Sequence, residues 1–286
     1  MQRQNKQLVI YSFLAIFVIA ASAPGLFYVN TAFAQGTLAI DNSGNAKCTA
    51  TLTVSGTLSC NFTTTSSSDV IIVFVSSTTG TAGTPTASGI SLSSPFSSRN
   101  SLTTSTENAY EFYAITSSSG TVTISDSVSG ISPVSVMIAF AVSGADTSSP
   151  FDPSLSTAPT PTTGSSTNPT ITFSTSGTDD MLLGLVGSPI STTFSAGTGS
   201  TMIASNSLTT QTAAAEYEDT TKSGSQTQQF TTTLSVSWVM FGDALVSPTG
   251  VPEFPVGLLP FLIIIPAIYF VMRRLGKVPR PGRMSI

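Results

Sequence analysis

The sequence has no histidine, two cysteines and one tryptophan, and charged residues make up only 8% of its 286 positions. Without histidine there is no Ser–His or Cys–His catalytic pair, no imidazole ligand for zinc and no proximal histidine for haem. Positive charge is almost missing from the middle of the chain. Between Gln35 and Glu253 only Lys47, Arg99 and Lys222 are basic, against all fourteen acidic residues, a net of −11. That balance argues against a nucleic-acid surface and against phosphate chemistry, both of which need cationic groups. No stretch there carries an apolar stripe at the 3.6-residue period of a helix. Serine and threonine fill the space, taking 86 of the 210 positions from Asp41 to Gly250.

The remaining basic residues flank two apolar runs. Arg3 and Lys6 precede Leu8 to Ala20, and Ala32-Phe33-Ala34 supplies small residues at the right spacing for signal cleavage. Residues 1–34 therefore read as a secretory signal peptide. Residues 35–250 read as the exported domain. Phe254 to Met272 carries no charge, and its nineteen residues approach the roughly 20 that a transmembrane helix needs. Five basic residues follow within 273–286, a pattern that leaves the tail in the cytoplasm. The expected location is the cell membrane, single-pass, with the ectodomain outside.

Within the exported part, short apolar runs recur at period two. Val70 to Val75 is β-branched and dense. Tyr110, Phe112 and Ala114 share one face, as do Val134, Val136, Ile138, Phe140 and Val142. Thr170–Thr175 and Met181–Val186 read as a strand pair, and Phe230–Trp238 as one strand. The fold class is all-β: an antiparallel β-sandwich of two packed sheets followed by the C-terminal helix. No internal repeat is evident, and 152–169, rich in proline, serine and threonine, reads as a surface excursion or a linker. Cys48 and Cys60 are expected to form a structural disulfide at the base of a hairpin turning at Ser55-Gly56. Asn61-Phe62-Thr63 is the one complete N-glycosylation sequon.

Three segments resemble a secreted jelly-roll or lectin-like β-sandwich module of archaeal, bacterial and phage surface proteins. They are Val142-Ser-Gly-Ala-Asp-Thr-Ser-Ser-Pro-Phe-Asp152, Thr178-Asp-Asp-Met-Leu-Leu-Gly-Leu-Val186 and Trp238-Val-Met-Phe-Gly-Asp-Ala-Leu245. The resemblance implies jelly-roll-like connections and adhesion or glycan binding. Pro252-Glu253-Phe254-Pro255, ahead of the apolar run, resembles the Pro-Glu-Phe sorting signals of archaeal surface proteins, including those of ammonia-oxidising archaea. Pro255 stands where that signal usually has glycine.

Candidate sites are sparse. Asp146 and Asp152 bracket Pro150-Phe151, and Asp179-Asp180 precede a strand. Two readings stand: oxygen ligands for Ca²⁺, or side chains that cap turns. Neither spacing matches an EF-hand loop. Trp238 reads as core, and Tyr113 and Tyr217 as possible exposed ligand contacts. No catalytic residues and no other cofactor emerge. The chain reads as a membrane-anchored structural or adhesion protein of the cell surface, not an enzyme. Its expected partners are envelope or surface proteins and glycans, with no nucleic acid. The alternative is a glycan- or solute-binding receptor module, assisted by calcium.

Overall fold

The computed structural model describes residues 37–248. The expected signal segment, the Pro252–Pro255 motif, the apolar run and the basic tail lie outside the described residues, and so does the sequence's expectation of a C-terminal helix. Among the described residues no helix is long and apolar enough to cross a membrane. What is described is all-β, and every strand pair is antiparallel.

Ten strands come first: β1 (Ala39–Ile40), β2 (Lys47–Leu52), β3 (Gly56–Thr64), β4 (Val70–Ser77), β5 (Thr81–Ala82), β6 (Thr86–Ser88), β7 (Leu92–Thr103), β8 (Asn108–Thr116), β9 (Gly120–Ser129) and β10 (Ser135–Ser143). A single 3₁₀ turn, Pro153–Leu155, leads to eight more: β11 (Thr162–Ser166), β12 (Thr170–Thr175), β13 (Asp180–Ser188), β14 (Ser195–Ala196), β15 (Thr201–Leu208), β16 (Gln211–Thr220), β17 (Gly224–Thr231) and β18 (Val236–Val246).

The pairing order shows that one unit occurs twice. In the first, β2–β10–β4–β8–β7 form one sheet, and β3–β9 with β5 and β6 form the other. In the second, β11–β18–β13–β16–β15 and β12–β17–β14 repeat the same connections. The registers make the equivalence residue by residue. Val70 pairs with Ile115 and Val142, and Met181 pairs with Asp219 and Leu245. Asp69–Ser77 thus matches Asp180–Ser188, and Val136-Met137…Ala141 matches Val239-Met240…Ala244. The duplication is hidden in the sequence because equivalent positions differ even inside the cores, where Phe140 matches Asp243 and Glu111 matches Ala215.

Three cores separate four layers. Leu58, Phe62, Val122 and Ile124 of β3 and β9 pack on Ile71, Val73, Phe112 and Met137. The opposite faces of those same middle strands, through Ile72, Phe74, Ile138 and Phe140, meet Leu183, Leu185, Ala215 and Phe241 of the second unit. Beyond that sheet, Leu182, Val186, Trp238 and Met240 pack on Ile171, Phe173 and Phe230. The expectation of two sheets is therefore corrected to four, arranged as two sandwiches face to face. The physical reason is visible in β4, β10 and β13, where every residue but the last of β10 is buried. A strand with one wet face alternates; these have none.

Three local expectations are also corrected. β2 and β3 do not pair with each other. β2 joins β10 and β3 joins β9, so the Cys48–Cys60 disulfide, with Cα atoms 5.8 Å apart, links two sheets across a core and does not close a hairpin. Thr170–Thr175 pairs with β17, and Met181–Val186 with β16 and β18. Phe230–Trp238 is broken between Thr231 and Val236, leaving Leu234 69% exposed while Trp238 is buried. The segment after β10 connects the units. Leu155 plugs the second outer core, and Asn100 Nδ2 donates to Pro159 O at 2.8 Å.

Replacing Cys48 and Cys60 by serine is expected to lower stability by about 3 kcal/mol from the loss of a short closed loop. Denaturation with and without reductant should show the difference in the wild type alone.

Candidate functional site

Each unit begins its central strand with an aspartate, and each aspartate faces another. Asp41 follows β1 and Asp152 follows Phe151, which makes the equivalent bridge to Leu245. Asp41 accepts the Thr65 amide and hydroxyl at 2.5 Å each. Asp152 accepts the Ser176 and Gly177 amides at 2.9 and 2.8 Å, and the Ser154 amide at 2.7 Å. Burial pushes Asp152 up, but the Ser154 hydroxyl and the Gly177, Ser154 and Ser176 amides outweigh it and hold it at about 2. Its neighbour Asp180 is pushed up to about 7 by burial and then by the charge of Asp152. Asp69 is raised to about 8 in the same way, by burial and then by Asp41. In each unit one carboxyl is thus lowered and the one it faces is raised.

Both members of the second pair are buried, and of the two only Asp180 lies in the walls of the grooves beside them. Two grooves of about 380 and 480 Å³ share Asp179, Asp180 and Ser247 in their walls. Asp219 lines the smaller and Asp146 the larger. Neither wall includes a basic side chain, and the one aromatic ring among them, Phe151, is only 7% exposed. Of the four aspartates read from sequence, the fold therefore brings Asp146, Asp179 and Asp180 to one rim and places Asp152 behind it. Asp146 accepts the Ser148 amide and hydroxyl at 2.8 and 2.7 Å, and Asp152 caps the 3₁₀ turn. Among the described residues no group of three or more His, Cys, Asp or Glu side chains is placed to hold a metal ion.

The other sequence candidates are dispersed. Tyr113 and Tyr217 occupy equivalent positions and are half-buried against the central core, with the Tyr113 ring edge-on to Phe151 at 4.9 Å. Trp238 lies in the second outer core, its Nε1 donating to Ser166 Oγ at 3.1 Å. Asn61 and Thr63 are exposed on β3, with Phe62 buried between them.

Sequence reading missed the buried charges of the central core. Arg99 sits at a bulge in β7, the position Ile203 holds at a bulge in β15, and both side chains enter the core. Arg99 Nε and Nη2 grip Asp243 at 2.5 and 2.9 Å, Nη2 reaches Leu155 O at 2.6 Å, and the guanidinium lies 3.8 Å from the centre of the Phe151 ring. Glu111 is wholly buried nearby, and neither carboxyl oxygen has a hydrogen-bond partner. Burial raises it well above the usual range, with Asp243 adding and Arg99 opposing. Two signals were available: Arg99, a lone cation among serines, and Asp243, a charge inside an apolar run.

No protein-family model matches the chain, and no curated protein matches it.

Truncating Arg99 to alanine strands Asp243 in the core and should cost about 3–5 kcal/mol, read from denaturant midpoints. The pH dependence follows from the raised groups. Burial lifts Asp69 and Glu107 to about 8, and Asp126, Asp180 and Glu216 to about 7. Unfolded carboxyls release their protons near pH 4, so between about 4 and 8 the folded chain holds more protons and stability falls as pH rises. Asp41, Asp146 and Asp152 are lowered and act oppositely, withdrawing stability only below about pH 4. Thermal midpoints should therefore be higher near pH 5 than near pH 8, and the Asp69→Asn, Asp180→Asn double variant should flatten that slope. An unchanged slope would show that the pairs do not titrate in this window.

Proposed function

We propose that the chain is a non-catalytic structural module of the cell surface, exported by its N-terminal segment and held by a C-terminal membrane span, with an adhesive or envelope-building role. The observation that carries this reading is the outer surface of the four-layer stack. Both outermost sheets present hydroxyl rungs to solvent, with Ser59 against Ser125 at 3.0 Å, Thr63 against Thr121 at 3.1 Å and Thr172 against Thr227 at 3.2 Å. Such a face is neutral, β-favouring and hydrated, and it keeps a large β-protein soluble with few charges. The described aromatic rings are spent on packing. The likeness to jelly-roll surface modules and the Pro-Glu-Phe-like motif support the same placement, in the manner of an archaeal surface protein. Asn61, exposed on one hydroxyl face, is the position for an N-linked glycan.

A glycan- or solute-binding role would use the two acid-walled grooves, whose carboxyl oxygens suit sugar hydroxyls or a bridging calcium ion.

Protease treatment of intact cells should release peptides from 37–248 and none from the basic tail. Release of tail peptides with the β-domain protected would reverse the orientation. A glycan array probed with and without calcium separates the two roles: the structural reading expects no sugar retained, and calcium-dependent retention of one sugar class would replace it with the receptor reading.

A further inference from the structure

We propose that Ser76 and Gln211 condense to an intramolecular ester, with Glu107 relaying the proton and ammonia as the leaving group, so that the two middle sheets become covalently joined.

The three side chains meet where the two units face each other. Ser76 is the penultimate residue of β4, Glu107 immediately precedes β8, and Gln211 opens β16. Glu107 and Gln211 are equivalent positions of the duplicated unit, and the position equivalent to Ser76 is Gly187. All three side chains are at most 1% exposed. Ser76 Oγ donates to Glu107 Oε1 at 2.5 Å. Gln211 Nε2 donates to that same Oε1 at 3.1 Å and also contacts Ser76 Oγ. One carboxyl oxygen therefore touches both the nucleophile and the leaving nitrogen. Gly187 makes the cluster possible, since a Cβ there would overlap Ser76 Oγ and Glu107 Oε1.

Buried polar atoms ordinarily find partners, and this network leaves two without one. Glu107 Oε2 and Gln211 Oε1 are both buried without a hydrogen-bond partner. The amide carbonyl is thus neither solvated nor bonded, while its nitrogen and the attacking hydroxyl are held together. Burial, opposed by the hydrogen bonds from Ser76 and Gln211, sets Glu107 at about 8, so that it can take and return a proton near neutrality.

The step balances within these residues. The Ser76 O–H bond breaks and its proton passes to Glu107 Oε1. An Oγ lone pair forms the bond to Gln211 Cδ, and the carbonyl pair moves onto Oε1. As the carbonyl re-forms, the Cδ–Nε2 bond breaks with its electron pair on nitrogen, which takes the proton from Glu107. The products are an ester and ammonia, and Glu107 returns to its starting state. No oxidant, metal or cofactor enters. The same exclusion of water that raises Glu107 protects the ester from hydrolysis.

Peptide mapping of the folded, full-length protein tests this directly. Digestion should be done under reducing conditions, to remove the Cys48–Cys60 link, and with an acid protease, because esters survive acid. The expected product is one species joining the Ser76 and Gln211 peptides, lighter than their sum by one ammonia and separated by mild alkali. It should vanish completely in Ser76→Ala and in the near-isosteric Glu107→Gln. Recovery of separate Ser76 and Gln211 peptides at full amide mass from the wild type would overturn the proposal, whatever the variants do. Persistence of the joined species in Glu107→Gln would remove the assigned relay and with it the mechanism.

Discussion

The two middle sheets have no wet face, and the rest of the molecule answers to that. A sheet between two other sheets can spend neither face on water. Its strands must be largely apolar, and a polar side chain in them that finds no partner inside is costly. β4 and β10 meet the first demand except for the serines at their ends. Among the polar residues that remain, Arg99 is grouped with Glu111 and Asp243, and Ser76 with Glu107 and Gln211. Burial raises Glu107, Glu111 and Asp243 because the charged form has nowhere to be solvated, and the Arg99 guanidinium opposes that rise at Glu111 and Asp243.

Duplication adds a second constraint. Where two copies of one unit face each other, equivalent positions tend to meet, and identical residues there would collide or repel. The units differ at those places. Ser76 faces the Gly187 position, and Glu107 meets Gln211 instead of a second glutamate. Phe140 of the first unit corresponds to Asp243 of the second, which receives Arg99 from a bulge whose counterpart carries Ile203. The central core is made from two copies of one pattern that diverged to fit each other.

The class of fold was legible because period-two runs, turn-rich spacing and the lack of any helical stripe all agree. The number of layers was not, although the cue was present: Val70–Val75 and Met181–Val186 are apolar at consecutive positions, the mark of strands covered on both sides. The duplication was obscured by a background of serine and threonine, against which a handful of shared aspartates, alanines and tyrosines does not stand out. The disulfide was correct as a pairing and wrong as a hairpin, because proximity of two cysteines in sequence cannot say whether the chain turns within a sheet or crosses to another. Of the acidic candidates, Asp179 and Asp180 were found by their doublet. Asp41 and Asp69 were passed over for want of one, and their role shows only when the two units are superposed by register.

The disulfide has a further consequence. Where the first unit has Cys60, the second has Ile171. A molecule built from two equal halves is therefore unequal at its two outer surfaces. On one side the outer sheet is bolted to the sheet beneath it. On the other, the three strands β12, β17 and β14 are held without a covalent link, by side-chain packing and by hydrogen bonds such as the one the Gln229 amide donates to Glu216 Oε1 at 3.1 Å. Any disturbance that loosens the stack will lift that unbolted cover first and reach the middle sheets from one direction only.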